Sequence, residues 1–388
     1  MILRVFVYLT FLLFTMGQLG RVSLLNQEVN FYIYEVSLLV TFVILLYQYR
    51  LKPLTSSVKK FKILSVFFIF LLFSFCFNTN VYTPLQNLVA FSYYLRLLFY
   101  FVFFLYLYYV CKKDKKLLRD LGYGILASSF GMVVLGILQY FFYGDLRNLL
   151  YLGWDPHLFR IFGTFLEPVI FGSIVGLILL FILTKQVFSR RKYLRIFISC
   201  ILLVLIFLTF SRDVYIAILT SISVYYAREK LHYVVGLFII SGLILVLLPK
   251  PFGEGVNLLR TSTISSRLID YQEGVELFKK SPLYGTGYNH IRYEKKSINA
   301  PGITSANHAG SAFHSSFLTI LATSGIIGLG LYIFVLWRMG SISVYSGSAV
   351  FFLTIVSLFD NVLLHPFILF FLFTSICVSV SHLSGRLR

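Results

Sequence analysis

Apolar residues run through this chain in long blocks separated by short polar stretches. A bilayer core takes about 20 consecutive apolar residues of helix. The pattern predicts twelve membrane-spanning helices, over about 2–20, 31–49, 63–77, 88–110, 121–143, 161–184, 196–210, 213–227, 232–249, 314–336, 342–359 and 362–383. The seventh and eighth are short and meet at Ser211-Arg212-Asp213. The first run begins beside Arg4 and has no small-x-small cleavage site before Gly20-Arg21, so it reads as a retained helix. One long hydrophilic segment, 250–313, separates the ninth and tenth spans. Within it, 270–280 places Val275, Leu277 and Phe278 among charges, which suits a short amphipathic helix that Ser281-Pro282 would stop. The expected fold is an all-α polytopic membrane protein, a single membrane domain over 1–388 with one large outer loop.

Composition agrees with that reading. The chain is 58% hydrophobic and 13% charged, with a mean hydropathy of +0.85, whereas a soluble domain is about a quarter charged. A net charge of +19 would suit a nucleic-acid binder, but its placement argues otherwise. With the N-terminus inside, the short inner segments hold most of the Lys and Arg, in clusters such as Lys59-Lys60-Phe61-Lys62, Lys112–Arg119 and Lys185–Arg195. The short outer segments hold only Arg21, Arg147, Arg160 and Arg212. This is the positive-inside distribution, with the inner clusters lying against anionic membrane lipid. Nothing is left over for nucleic acid. The cysteines, Cys76, Cys111, Cys200 and Cys377, are scattered through apolar runs and suggest neither a disulfide framework nor a zinc site.

Ionisable groups inside spans are costly and usually face a cavity or a partner. Glu35, Arg96, Glu167, Arg212, Asp213 and Asp360 all fall in the outer half of their spans or at the outer ends. Arg96 is the deepest, roughly 12 Å into the fourth span at 1.5 Å per residue. Such clustering predicts one polar cavity open to the outside. A channel or exchanger would need polar groups along a whole path, and none reaches the inner face.

The tenth span opens on His314-Ser315-Ser316-Phe317-Leu318 and continues to Gly325-Ile326-Ile327-Gly328-Leu329. Upstream lie Ser266-Arg267 and Pro282-Leu283-Tyr284-Gly285-Thr286-Gly287. Arg160-Ile161-Phe162-Gly163-Thr164-Phe165 with Pro168 enters the sixth span, and Thr209-Phe210-Ser211-Arg212 joins the seventh and eighth. This order resembles the O-antigen ligase/polymerase family of bacterial membrane glycosyltransferases over about 160–336. Ser315, Thr323, Ser281 and Glu167 depart from residues common in that family.

The resemblance implies a GT-C-like fold, a donor glycan on a lipid (undecaprenyl) pyrophosphate, an acceptor that is a sugar or lipid-anchored glycan hydroxyl, and a site at the outer face of the bacterial inner membrane. The residues suit such chemistry. Arginines neutralise charge building on a departing pyrophosphate, and they remain ionised; Arg96, Arg160, Arg212 and Arg267 are the candidates, with Glu167 beside them. His314 would take the acceptor proton as general base, and a single displacement would invert the anomeric carbon. Gly325 and Gly328 read as helix-packing residues. His290 and His308 are expected to stand outside the chemistry. No Asp-x-Asp and no phosphate-cradling Gly-x-x-x-x-Gly-Lys motif occurs, so neither a metal nor another cofactor is expected. A ligase is the leading reading, a polysaccharide polymerase its nearest rival, and a non-enzymatic transporter of lipid-linked sugars the rival from another class.

Overall fold

The computed structural model describes residues 1–25, 27–152, 154–185, 187, 191–226, 231–247, 256–258, 262–297 and 312–380. It is helical almost throughout. The helices are α1 (Ile2–Phe14), α2 (Ile33–Tyr49), α3 (Lys52–Lys60), α4 (Lys62–Phe77), α5 (Pro84–Lys113), α6 (Lys115–Phe142), α7 (Pro168–Thr184), α8 (Lys192–Leu208), α9 (Arg212–Tyr226), α10 (Leu231–Leu247), α11 (Ser262–Lys280), α12 (Ile291–Ser297), α13 (Ser316–Gly340), α14 (Val344–Phe359) and α15 (Pro366–Val380). A small hairpin, β1 (Arg21–Leu24) and β2 (Val29–Tyr32), joins α1 to α2, with Arg21 opposite Tyr32.

Among the described residues, each of the twelve apolar runs holds an apolar helix, although α1 stops at Phe14 and α7 begins only at Pro168. Among the described residues, four helices are long and apolar enough to cross a bilayer alone: Lys62–Val81, Pro84–Lys113, Lys115–Phe142 and Ser316–Gly340. A fifth candidate joins α2 to α3 across a 101° bend. Left-handed Arg50 and Pro53 in the first turn of α3 give that bend a local cause. The amphipathic helix expected over 270–280 begins earlier, at Ser262, and ends at Lys280 as Ser281-Pro282 requires.

Helix ends follow their sequences. Thr83 and Gln86 form a capping box ahead of Pro84 at the start of α5. Asp114 accepts from the backbone of Lys116 and Leu117 at the start of α6, and Ser315 accepts from Leu318 N–H at the start of α13. The core is centred on α7 and α15, which are apolar on every side and buried nearly throughout, as a helix surrounded by other helices should be. Helix α15 packs on α5, α6 and α7, while α14 packs on α9, α13 and α7. Phe14, Tyr34, Phe367 and Phe370 interlock where α1, α2 and α15 meet.

Among the described residues, basic groups of α1, α3 and α13 meet partners at or near the α5–α6 junction and the start of α4. There Arg4 binds Asp120, Tyr49 binds Asp114, Lys60 meets Tyr108 and Arg338 lies over Phe61. The motifs gather at other helix ends, and backbone pairing locks them together. Helix α13 is broken at Gly325, where φ is 66° and ψ −171°. The segment 282–287 packs into the break: Thr286 N–H bonds Ala322 C=O at 3.1 Å, Gly287 N–H bonds Thr323 C=O at 3.0 Å, and Ile326 N–H bonds Pro282 C=O at 2.9 Å. Ser74 Oγ of α4 reaches the carbonyls of both Tyr284 and Thr323. Thus carbonyls freed by the break regain partners, as they must in an apolar bundle.

A Cβ on Gly325 would lie 2.3 Å from the Leu283 carbonyl carbon, and one on Gly285 2.2 Å from that of Thr323. Both are backbone atoms, and the Gly325 conformation is essentially open only to glycine, costing other residues about 1–3 kcal/mol before any clash. Gly325→Ala should therefore lower the thermal unfolding midpoint in detergent by several degrees. Gly330→Ala, whose Cβ would meet nothing within 4 Å, should leave it unchanged.

Candidate active site

His314 stands two residues before α13 and is held by Asp270 of α11. The Asp270 Oδ2 lies 3.0 Å from His314 Nδ1 and also accepts the His314 backbone N–H, while Oδ1 accepts from Lys295 Nζ. Asp270 and Lys295 side chains are 8% and 2% exposed, whereas that of His314 is 42% exposed. A buried carboxylate with these donors fixes the ring with Nδ1–H toward Asp270. Nε2 is then left as the proton acceptor, with no hydrogen-bond partner among the described residues. The Asp270 bond raises the His314 pKa, more than burial lowers it, and the Asp360 charge adds to the rise. Burial pushes the Asp270 carboxyl up, but the His314 and Lys295 bonds outweigh it and leave the pKa lowered.

Arg267 is one turn before Asp270 on the same helix, so both side chains emerge from one face. Its Nη2 lies 3.5 Å from Asp213 Oδ2 and 3.9 Å from Asp360 Oδ2. Its Nε is buried without a hydrogen-bond partner. Asp213 is fixed in turn by Ser211 Oγ at 2.5 Å. Asp360 occupies the break between α14 and α15. Burial first, then Glu167 and Asp213, raise its pKa to about 7, against the opposing pull of His314 and Arg267.

Arg160 is buried in the strap that leads into α7. Its Nε donates to Thr209 C=O at 2.8 Å, and its Nη1 is 3.4 Å from His157 Nδ1. Ile161 N–H bonds Leu208 C=O at 3.0 Å, so the Arg160–Phe165 motif is tied to the Thr209–Arg212 turn, where Phe210 adopts a left-handed backbone. Glu167 sits 3.5 Å from the other nitrogen of His157, and its charge and that of Asp213 both reach Arg160. Arg212, at the first turn of α9, donates from Nη1 to Leu258 C=O at 3.0 Å.

The structure therefore brings Arg160, Glu167, Arg212, Arg267 and His314 to one region, together with Asp213, Asp270 and Asp360. Arg96 stands apart. It grips Glu35 through two bonds of 2.8 Å and donates to Asn30 C=O at 3.0 Å. Tyr100 adds a 2.6 Å bond to the same carboxylate. His290 is fully buried, stacked on Tyr82 at 3.9 Å and bonded to Asn87, with burial lowering its pKa to about 4. His308 lies outside the described residues. Among the described residues no three His, Cys, Asp or Glu side chains group as metal ligands.

Sequence reasoning missed Asp270 and Lys295. The available signal was Asp270's position three residues after Arg267 in an amphipathic helix. Lys295 gave none, since a lysine in a polar loop ordinarily points to solvent.

No curated protein matches the chain. Residues 158–333 match the family described as O-Antigen ligase. That stretch runs from the Arg160 strap through α13, so it takes in Arg160, Glu167, Arg212, Arg267, Asp270 and His314 and leaves out Arg96. By its apolar helices the chain is a polytopic membrane protein, and over residues 158–333 it is similar to the O-antigen ligase family.

Proposed function

We propose that this protein transfers a glycan from a lipid pyrophosphate carrier to an acceptor hydroxyl at the outer face of a bacterial inner membrane. It does so as a ligase, without a metal, and all twelve apolar helices cross the bilayer. The observation that carries the reading is the pairing of His314 with Asp270, one helical turn from Arg267 on α11.

The reaction follows from these groups. His314 Nε2 takes the proton of the acceptor hydroxyl. The hydroxyl oxygen forms a bond to the anomeric carbon as the bond from that carbon to the pyrophosphate oxygen breaks. The electron pair leaves with the lipid pyrophosphate, and the His314 proton passes to water. Asp270 keeps the ring in the required tautomer and stabilises the imidazolium as it forms, the role of the acid in a Ser-His-Asp triad. Arg267, Arg212 and Arg160 oppose the charge on the leaving group. Asp213 and Asp360 hold Arg267 until the anion arrives. Because one displacement suffices, the configuration at the anomeric carbon inverts. A polymerase would use the same steps and differ only in its acceptor, a second lipid-linked chain.

Three measurements test this reading. With the natural cysteines replaced, a membrane-impermeant thiol reagent added outside should label Lys279→Cys and miss Lys116→Cys, as the charge distribution requires. Reversed labelling would turn the site inward.

Arg267→Lys keeps the charge but loses the planar fork. Transfer should fall at least about tenfold with the protein still in the membrane, and Arg212→Lys should behave alike. Near-normal rates in both would make them anchors.

His314→Ala should cost about 10²–10⁴-fold in transfer rate, the usual worth of a general base. The neutral ring is the active form, so the wild-type rate should rise with pH through the elevated His314 pKa. Asp270→Asn removes the group that raises this pKa. It should slow transfer and move the acidic limb to lower pH, whereas a purely structural role would leave the limb in place.

A further inference from the structure

A cavity lies beside the candidate active site and has no part in the chemistry above. Its volume is about 160 Å³, room for several water molecules. Three arginines line it, Arg21, Arg96 and Arg292, with five tyrosines and no acidic residue. Arg96 is neutralised by Glu35. Arg21 and Arg292 form no ion pair among the described residues. Arg21 donates from Nε to the neutral oxygens of Ser23 and Asn30. Arg292 is 8% exposed, and its Nη1 is buried without a hydrogen-bond partner. Glu28, the acid beside the neighbouring Tyr293, accepts from the Tyr293 hydroxyl instead.

An unpaired buried guanidinium donor is expensive. Two like charges near one cavity add to that cost: burial, and among the charges Arg292, pull the Arg21 pKa down. An anion between them would relieve both penalties. The tyrosines supply flat apolar faces and hydroxyl groups, the mixture that recognises a small organic molecule rather than a bare ion. The cavity also abuts the reacting centre. Its lining includes Ala312, two residues before His314, and Asn361, next to Asp360. The short helix α12 serves both places, with Arg292 at the cavity and Lys295 on Asp270.

We infer that this cavity is a binding site for an anionic sugar, one carrying a phosphate or a carboxylate, on the acceptor. The acceptor role rests on the transfer reading above; the binding of an anionic sugar does not.

The test uses the purified full chain in detergent, without donor, and follows binding by saturation-transfer NMR or calorimetry. Glucose 6-phosphate and glucuronate should bind, with glucose at least about tenfold weaker. Arg292→Gln and Arg21→Gln should each weaken the anionic sugars about tenfold, the worth of one charge-assisted contact. Arg21 is only half-buried, so its variant remains informative if Arg292→Gln does not fold. Arg267→Gln should leave this binding unchanged. Equal binding of glucose would overturn the proposal, as would binding lost in Arg267→Gln and retained in the other two variants. Inorganic phosphate binding as tightly as glucose 6-phosphate would overturn the sugar assignment and leave a general anion site of the kind a lipid headgroup fills. Bond formation is not needed for any of these outcomes, so they stand even if the transfer reading fails. Unimpaired transfer to an anionic acceptor by both Arg292→Gln and Arg21→Gln would remove the acceptor role alone.

Discussion

The helices around His314 depend on one buried carboxylate. Asp270 takes bonds from Lys295, from the His314 ring and from the His314 backbone, and so ties α11, α12 and the mouth of α13 into one unit. Lys295 also donates to Ala312 C=O at 3.1 Å and lies over the Phe313 ring at 4.5 Å, which fixes the residues just before the histidine. A buried ion pair is not a strong stabiliser by itself, but removing one partner strands the other charge at a cost of about 3–5 kcal/mol. The arrangement therefore specifies one geometry. It holds the imidazole in a single tautomer while its far edge remains accessible.

The arginine side of the site follows a different rule. Arg267 is shared between Asp213 and Asp360, neither at ideal distance. A full bidentate pair, such as Arg96 makes with Glu35, would leave little for a ligand. Two loose partners avoid the cost of an unpaired buried cation and still leave hydrogen-bonding capacity, seen in the unpartnered Nε. Asp360 adds adjustability. Burial, with Glu167 and Asp213 nearby, raises its pKa to about 7, so its charge is more easily neutralised than that of an ordinary carboxylate.

The helical plan was legible because membrane insertion demands it. Among the described residues each long apolar run holds a helix, four of them long and apolar enough to cross a bilayer alone, and Arg4, Lys60 and Arg338 find partners near one another. His314, Arg267, Arg212, Arg160 and Glu167 were also legible, because motif order put them at helix ends that meet. Asp270 was not. Its place three residues after Arg267 put both on one face of an amphipathic helix, but only the fold brings that face to His314. The fate of Arg96 was half legible: depth in an apolar run required a partner, but only the fold selects Glu35 of α2. Residue spacing within the long hydrophilic segment likewise gave no sign that Lys295 would be among the most buried charges in the molecule.

The glycines of the two motifs mark where architecture ends and chemistry begins. Gly325 breaks α13, and the backbone of 282–287 fills the break. A continuous α13 would satisfy its own carbonyls and have no reason to hold this segment. With the break in place, 281–287 is pinned at both faces, by α13 and by Ser74 of α4. The segment connects α11, which bears Arg267 and Asp270, to α12, which bears Lys295. Pinning it sets the spacing of those two helices and hence the distance at which Asp270 and Lys295 can meet His314. The glycines thus act on the candidate site by setting these spacings. Any substitution that let 282–287 slide would loosen the histidine before it disturbed the transmembrane core.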